Sequence, residues 1–250
     1  MQQAIKPVTT VLNENYKNQL STNEYQLILS PHEELCNRIW QIKTAFSEAF
    51  QTQSVGGKPN LTILRFTQLA LMEERIVQRL RTIAMGYCPF KVELKDFGSL
   101  PTHSIFIQVT SKLPIRSLVK EIRDLQRLMK LDKEHKPYFV EEPNLLIARN
   151  LLPWQYEKAW LEYSNKHFTG RFIADGMLLL RRQVNNGPSD KPQSRQHNDG
   201  PSDKPHTRQH NDGPSVKPHT RLRSDKAWQI AERFAFQNLP VNTRQGELFA

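Results

Sequence analysis

The sequence has few cysteines and no long apolar stretch. Cys36 and Cys88 are the only cysteines among 250 residues, and they do not form a metal-ligand spacing. A reducing compartment therefore fits best. No apolar run approaches the ~18 residues needed to span a membrane, and the polar start of the chain lacks the apolar core of a signal peptide. Together these absences predict a cytoplasmic protein that is not attached to a membrane.

Positive charge is in excess and acidic charge is scarcer. The formal net charge is +10, with 38% hydrophobic and 24% charged residues, which is typical of a globular protein with some additional polar sequence. A basic chain admits anionic partners such as RNA, nucleotides or phosphorylated ligands, but charge alone does not require one.

A heptapeptide that occurs twice is the main internal signal. Pro-Asn-Leu-Thr-Ile-Leu-Arg at 59–65 returns as Pro-Asn-Leu-Leu-Ile-Ala-Arg at 143–149, and each copy begins a strand-like apolar run. Strict alternation would place Asn60, Thr62 and Leu64 on one strand face, and Asn144, Leu146 and Ala148 on the corresponding face of the second copy. Two related halves with their asparagines facing across a cleft are therefore predicted.

The remaining elements follow from periodicity and capping signals. Ser30, Pro31 and Glu33 predict a helix start with Ser30 as the N-cap of a capping box. Gly86 is the expected end of a second helix. The predicted strands cover 24–29, 90–97, 104–109 and one long strand at 170–181, with a partner within 226–236; the predicted helices cover 69–85, 115–129 and a segment from 152.

Three copies of a 13-residue unit occupy 185–223 and contain no large apolar residue before Leu222. Repeats without an apolar face cannot stack into a solenoid. We therefore expect a disordered insertion over 185–225, acting as an expanded hairpin loop. It would interrupt one domain formed by 24–184 and 226–237, with a flexible lead-in at 1–23 and a tail at 238–250.

Both Pro-Asn strands, with the helix after Ser30-Pro31, resemble the 2'-5' RNA ligase family of the two-histidine phosphoesterases over residues 24–182 and again near 226. The resemblance implies an α+β, bilobal fold with two pseudo-symmetric β-sheet halves, outer helices and a central cleft. In that family each half supplies a His-x-Thr or His-x-Ser strand. The histidines act as general base and general acid on a 2',3'-cyclic phosphate or a 2'-5' linkage, the hydroxyls hold the phosphate, and neither metal nor cofactor is required.

This chain departs from the family pattern at the reacting positions. Asn60 and Asn144 stand where the histidines would be, Thr62 retains the first hydroxyl and Leu146 replaces the second. An amide has no accessible pKa near neutrality, and each lost acid or base typically contributes ~10²–10⁴ to rate. The expectation is a monomeric pseudoenzyme that binds an RNA end or nucleotide phosphate through Asn60, Thr62 and Asn144 without turning it over.

Two alternatives remain open. A recruited histidine could support cyclic phosphodiesterase activity, and His167-Phe168-Thr169 matches His-x-Thr literally, although a surface loop is the expected place for His167. His103 is expected in a turn, and His206 and His219 lie within the repeats. The other alternative is an interaction scaffold that uses the repeats.

Basic and aromatic side chains near the cleft have ordinary explanations. Arg65 and Arg149 are predicted on the strand face opposite the asparagines, where pairing with a surface acid is at least as probable as phosphate binding. The other cations are interpreted as ordinary surface charges: Arg171, Arg181, Arg182 and Lys166. The aromatic residues are expected to pack in the core: Trp154, Tyr156 and Trp160.

Overall fold

A computed structural model describes residues 21–52, 57–101, 103–184 and 227–239. The repeats and most of the terminal segments therefore lie outside the described residues. The strands are β1 (Thr22–Leu29), β2 (Leu61–Leu69), β3 (Phe90–Leu100), β4 (Ser104–Val109), β5 (Tyr138–Phe139), β6 (Asn144–Arg149), β7 (Thr169–Ala174), β8 (Gly176–Gln183) and β9 (Gln229–Ala235). The helices are α1 (Glu33–Phe50), α2 (Glu73–Gly86), α3 (Lys112–Arg123), α4 (Gln126–Met129) and α5 (Pro153–Tyr163), with a 3-10 turn at Ala70–Met72.

The strands form two antiparallel sheets. Sheet A has the order β5-β2-β1-β8-β9, and sheet B has the order β6-β4-β3-β7. The order β1, α1, β2, α2 in the first half corresponds to β4, α3 and α4, β6, α5 in the second, where the short strand β5 is inserted before the Pro-Asn strand. The predicted α+β fold with two sheet-based halves is confirmed.

Helices cover one face of each sheet, and they are exchanged between the halves. α1 belongs to the first half but packs on sheet B, where Phe46 meets Tyr163 of α5 with ring centres 5.1 Å apart. Gln155 of α5 donates to the carbonyl of Phe50 at 3.0 Å. Conversely, Gln68 of β2 donates to the carbonyl of Leu128 in α4 at 3.0 Å. One continuous hydrophobic core joins both sheets.

The helix starting near Ser30 differs from the prediction. α1 begins at Glu33, its N-cap is His32, and no side chain caps it. The Ser30 hydroxyl donates instead to the carbonyl of Pro31 at 3.3 Å. Because His32 is extended, with ψ of 162°, Pro31 lies outside the helix and the predicted capping box is wrong.

The long strand predicted over 170–181 is also wrong. β7 pairs with β3 in sheet B, whereas β8 pairs with β1 and β9 in sheet A. The chain passes between the sheets at Asp175, whose carbonyl accepts the Phe236 amide at 2.8 Å. The buried positions change phase at the crossing, from Phe172 and Ala174 in β7 to Met177 and Leu179 in β8. The predicted pairing with the segment after the repeats is confirmed by β9.

Three other element predictions needed smaller revisions. The predicted helix at 69–85 starts with a 3-10 turn, and the predicted helix at 115–129 divides into α3 and α4. Gly86 is the last residue of α2. The segment predicted as a tail begins with Asn238 and Leu239, whose amides donate to Tyr87 and Met85 carbonyls at 3.1 and 2.8 Å.

In the part of the chain that the structure covers, no helix could cross a membrane.

Gly176 directly follows the crossing between the sheets and is predicted to be sensitive to substitution. A Cβ at Gly176 would lie 2.2 Å from the Phe234 backbone oxygen, so Gly176→Ala must separate β8 from β9. We expect a loss of about 1–3 kcal/mol in the free energy of unfolding, measured by urea denaturation. Gly170→Ala is the control, because its Cβ would meet only the ends of the Leu35 and Phe168 side chains, at 3.0 and 3.1 Å. Equal losses in the two variants would contradict this account.

Candidate functional site

Thr62 lies at the centre of a short chain of hydrogen bonds at the start of β2. Its hydroxyl accepts a bond from the Gln26 side-chain amide and donates to Oδ1 of Asn60 at 3.3 Å. The Asn60 amide donates in turn to the Lys58 carbonyl at 3.0 Å. The buried Cys36 thiol contacts the preceding carbonyl, that of Pro59, at 3.6 Å. Asn60 therefore sits just before the strand, held on the same side as Thr62.

A β-bulge at Ile63 changes which residues share this face. Leu27 pairs with Leu64, but the next residue, Ile28, pairs with Thr62, so Ile63 is the extra residue. Directly paired residues point to the same side of a sheet. Thr62 therefore points away from the helices, whereas Leu64 is fully buried. The prediction that Leu64 shares the face of Thr62 is wrong, because it assumed strict alternation.

The same bulge occurs at the equivalent position of the second copy. Ile105 pairs with Ala148 and Phe106 with Leu146, leaving Ile147 as the extra residue. Asn144 and Leu146 keep the predicted common face, but Ala148 turns into the core. We call the two sheet faces that carry Thr62 and Asn144 the cleft faces.

Both bulges return an arginine to the cleft face. Arg65 pairs with Gln26, two residues from the partner of Thr62, and Arg149 pairs with Ser104, two residues from the partner of Leu146. The predicted placement of the arginines opposite the asparagines is therefore wrong. Both side chains are exposed, and neither forms a hydrogen bond or ion pair with the described residues.

The two arginines are close enough to influence each other. Desolvation by its surroundings lowers the pKa of the Arg65 guanidinium, and the positive charge of Arg149 lowers it further. Two guanidinium groups that repel each other and form no ion pair with the described residues favour an anion between or beside them. The chemistry available here is charge-assisted hydrogen bonding to phosphate or carboxylate.

No described histidine contacts Thr62. His167 is 90% exposed and contacts Asp96 at 3.2 Å. It precedes β7, an edge strand of sheet B that is separated from β6 by β4 and β3. His103 lies in the turn between β3 and β4, as predicted. His206 and His219 are outside the described residues.

Three of the four other predicted cations form ion pairs. Arg181 bonds Glu73 at 2.9 and 3.0 Å, and Lys166 pairs with Glu162 at 2.5 Å. Arg182 pairs with Glu24 at 2.5 Å. Tyr156 is buried and Trp160 packs against the core, as predicted, but Trp154 is 53% exposed.

Sequence reasoning missed several residues at the site. Gln26 has no motif signal and becomes relevant only by pairing beside Thr62. Phe106 lies beside Leu146 on the cleft face because Gly98 leaves room for its ring: a Cβ at Gly98 would be 2.5 Å from it. An apolar patch thus adjoins Asn144, where a second hydroxyl was expected from the resemblance.

Lys43 is a basic residue whose side chain is unexpectedly buried. It occupies the apolar face of α1 between Ile39 and Phe46 and is only 4% exposed. Burial lowers the pKa of its ammonium group, and the charge of Arg149 lowers it further. The sequence gives no signal for this burial, because lysine normally marks the solvent side of a helix.

Comparison with known proteins is consistent with this geometry. A family model described as the 2'-5' RNA ligase superfamily matches residues 31–186, which is more than half of the chain. A search of curated proteins found no match. The matched segment includes both Pro-Asn strands and both bulges.

The burial of the Lys43 side chain predicts a gain in stability when its charge is removed. We expect Lys43→Met to raise the free energy of unfolding by about 1–4 kcal/mol at neutral pH. Because the folded state lowers the pKa below its ordinary value of 10.5, the unfolded state binds more protons as pH rises toward that value. The free energy of unfolding of the wild type should therefore fall short of that of Lys43→Met by the full amount below the folded-state pKa of Lys43. Above that pKa the difference should shrink. Denaturation curves at several pH values measure this, with exposed Lys158→Met as control; no gain in Lys43→Met would refute it.

Proposed function

The chain belongs to the 2'-5' RNA ligase superfamily, and from this premise we propose that it binds a phosphate-bearing RNA end or nucleotide in the cleft without turning it over. The observation that carries the proposal is the pair of arginines, Arg65 and Arg149. They occupy equivalent positions of the duplicated heptapeptide and lie on the cleft faces. Neither forms a hydrogen bond or ion pair with the described residues.

Charge supports an anionic ligand. The Arg65 and Arg149 guanidinium groups each offer several donors in a planar arrangement suited to phosphate oxygens. Asn60, Thr62 and Asn144 add neutral donors beside them. Lys43, buried near Arg149, adds positive potential from behind the strand. A bound phosphate would relieve the repulsion among these cations.

Loss of catalysis is supported by the side chains at the reacting positions. Asn60 and Asn144 cannot exchange a proton near neutral pH, and Leu146 cannot donate a hydrogen bond to phosphate. No described histidine approaches Thr62, so a recruited histidine has no support in the described part of the chain.

Binding should depend on both arginines. We expect Arg65→Gln and Arg149→Gln each to weaken the binding of a phosphate-terminated oligonucleotide by about 10- to 100-fold, because each removes charge-assisted hydrogen bonds. Fluorescence anisotropy at fixed salt measures the change. Arg79→Gln, an exposed arginine on α2, is the matched control and should bind normally. Unchanged affinity in both cleft variants would refute the proposal.

Catalysis should appear only when the family side chains are restored. The wild-type protein should not hydrolyse 2',3'-cyclic nucleotides or 2'-5'-linked dinucleotides, whereas the variant with Asn60→His, Asn144→His and Leu146→Thr should do so, because it regains an acid, a base and a hydroxyl. Product formation by chromatography measures this. Comparable turnover by wild type would show that another group carries the chemistry.

A further inference from the structure

The cleft face of sheet A continues well beyond Thr62 and Arg65. Strand pairing places three rows of side chains across it: Thr62, Ile28, Leu178 and Arg233; Tyr138, Arg65, Gln26, Leu180 and Ile230; and Thr67, Glu24 and Arg182, with Trp228 beside Arg182. A bulge in β9 brings Ile230 to the same face as Arg233. This face is therefore wider than one phosphate site.

Aromatic rings lie at both edges of the face. Tyr138, on edge strand β5 and paired with Arg65, is 65% exposed. Trp228 precedes edge strand β9 and is 37% exposed, with the Arg182 guanidinium 4.6 Å from its ring centre. Large aromatic side chains are normally buried, so two exposed rings on one charged face need a reason.

The charges of this face favour a polyanion. Arg65, Arg182 and Arg233 contribute three positive charges to the rows, against the single carboxylate of Glu24. Glu24 already pairs with Arg182, which holds that guanidinium against Trp228. Basic side chains between exposed aromatic rings are the combination by which proteins bind single-stranded nucleic acid, since bases stack on the rings and phosphates meet the cations.

We propose that the cleft face of sheet A is a path for a single RNA strand, with bases stacked on Tyr138 and Trp228 and the phosphate chain passing Arg65. This inference rests on the proposed function and extends it from a terminal phosphate to an oligonucleotide. The two aromatic residues flank the sheet across four strand spacings, about 19 Å. A mononucleotide has one base and cannot occupy both rings. At about 3.4 Å per stacked nucleotide, the path accommodates roughly six nucleotides, or fewer when the strand is extended.

The length dependence of affinity tests this proposal. Unlabelled 3'-phosphorylated oligoadenylates of one to eight nucleotides would compete with a labelled octamer in fluorescence anisotropy at fixed salt. We expect affinity to rise with length and to level off near six nucleotides. Tyr138→Ala and Trp228→Ala should each weaken octamer binding by about 10-fold or more.

Controls separate stacking from misfolding. Trp154→Ala removes an aromatic residue of α5 whose exposure, 53%, lies between those of Tyr138 and Trp228, and this variant should bind the octamer normally. Tyr138→Phe keeps the ring and should also bind normally. Thermal unfolding of every variant confirms that the fold is retained.

The outcomes distinguish this inference from the proposed function. If Arg65→Gln and Arg149→Gln weaken every length while the aromatic variants bind as wild type, the phosphate site stands and the strand path is wrong. If only the aromatic variants weaken the octamer, bases stack on the two rings, but the arginine site is wrong and so is the path of the phosphate chain past Arg65. A flat length series would overturn the strand path and assign the exposed rings to a protein partner.

Discussion

One extra residue in each Pro-Asn strand determines which side chains lie on the cleft faces. In an unbroken strand, Arg65 and Arg149 would point away from Thr62 and Asn144. The bulges at Ile63 and Ile147 reverse the alternation directly after Thr62 and Leu146, so that the arginines rejoin the cleft faces while the isoleucines stay buried. Bulges cost ladder hydrogen bonds. The strands that carry them are held by the continuous core on the opposite side.

The sequence predicted most elements and the duplicated arrangement, but it misplaced the side chains and strand ends whose position depends on how the strands pair. Alternation and turn residues located β3 and β4, and the repeated heptapeptide located β2 and β6. The bulges were not predictable from one sequence, because Leu61, Ile63 and Leu64 form an apolar run that fits several registers. The division at Asp175 was missed for a similar reason: local periodicity says nothing about which sheet a strand joins. Ser30 met the compositional rule for a cap, but Pro31 and the extended His32 delay the helix.

The electrostatics of the site show a balance between folding and binding. The positive charges of Lys43 and Arg149 repel each other, and burial lowers the pKa of Lys43. Some cations elsewhere are paired, as at Arg181 with Glu73 and Arg182 with Glu24. Arg65 and Arg149, in contrast, have no ion-pair partner among the described residues. Proteins retain such local instability at sites where a ligand supplies the missing partner.

The exchange of helices and strands between the halves also constrains how the molecule folds. α1 of the first half packs on the sheet of the second, β3 joins that same sheet, and β8 returns to the first. Neither half of the duplicated sequence closes a core from its own residues. The two lobes consequently cannot act as independent folding units, and the energetic coupling between them makes loss of either lobe equivalent to loss of the whole domain. An ancestral single-repeat chain with this arrangement would have had to exchange elements with a second copy of itself, as domain-swapped dimers do.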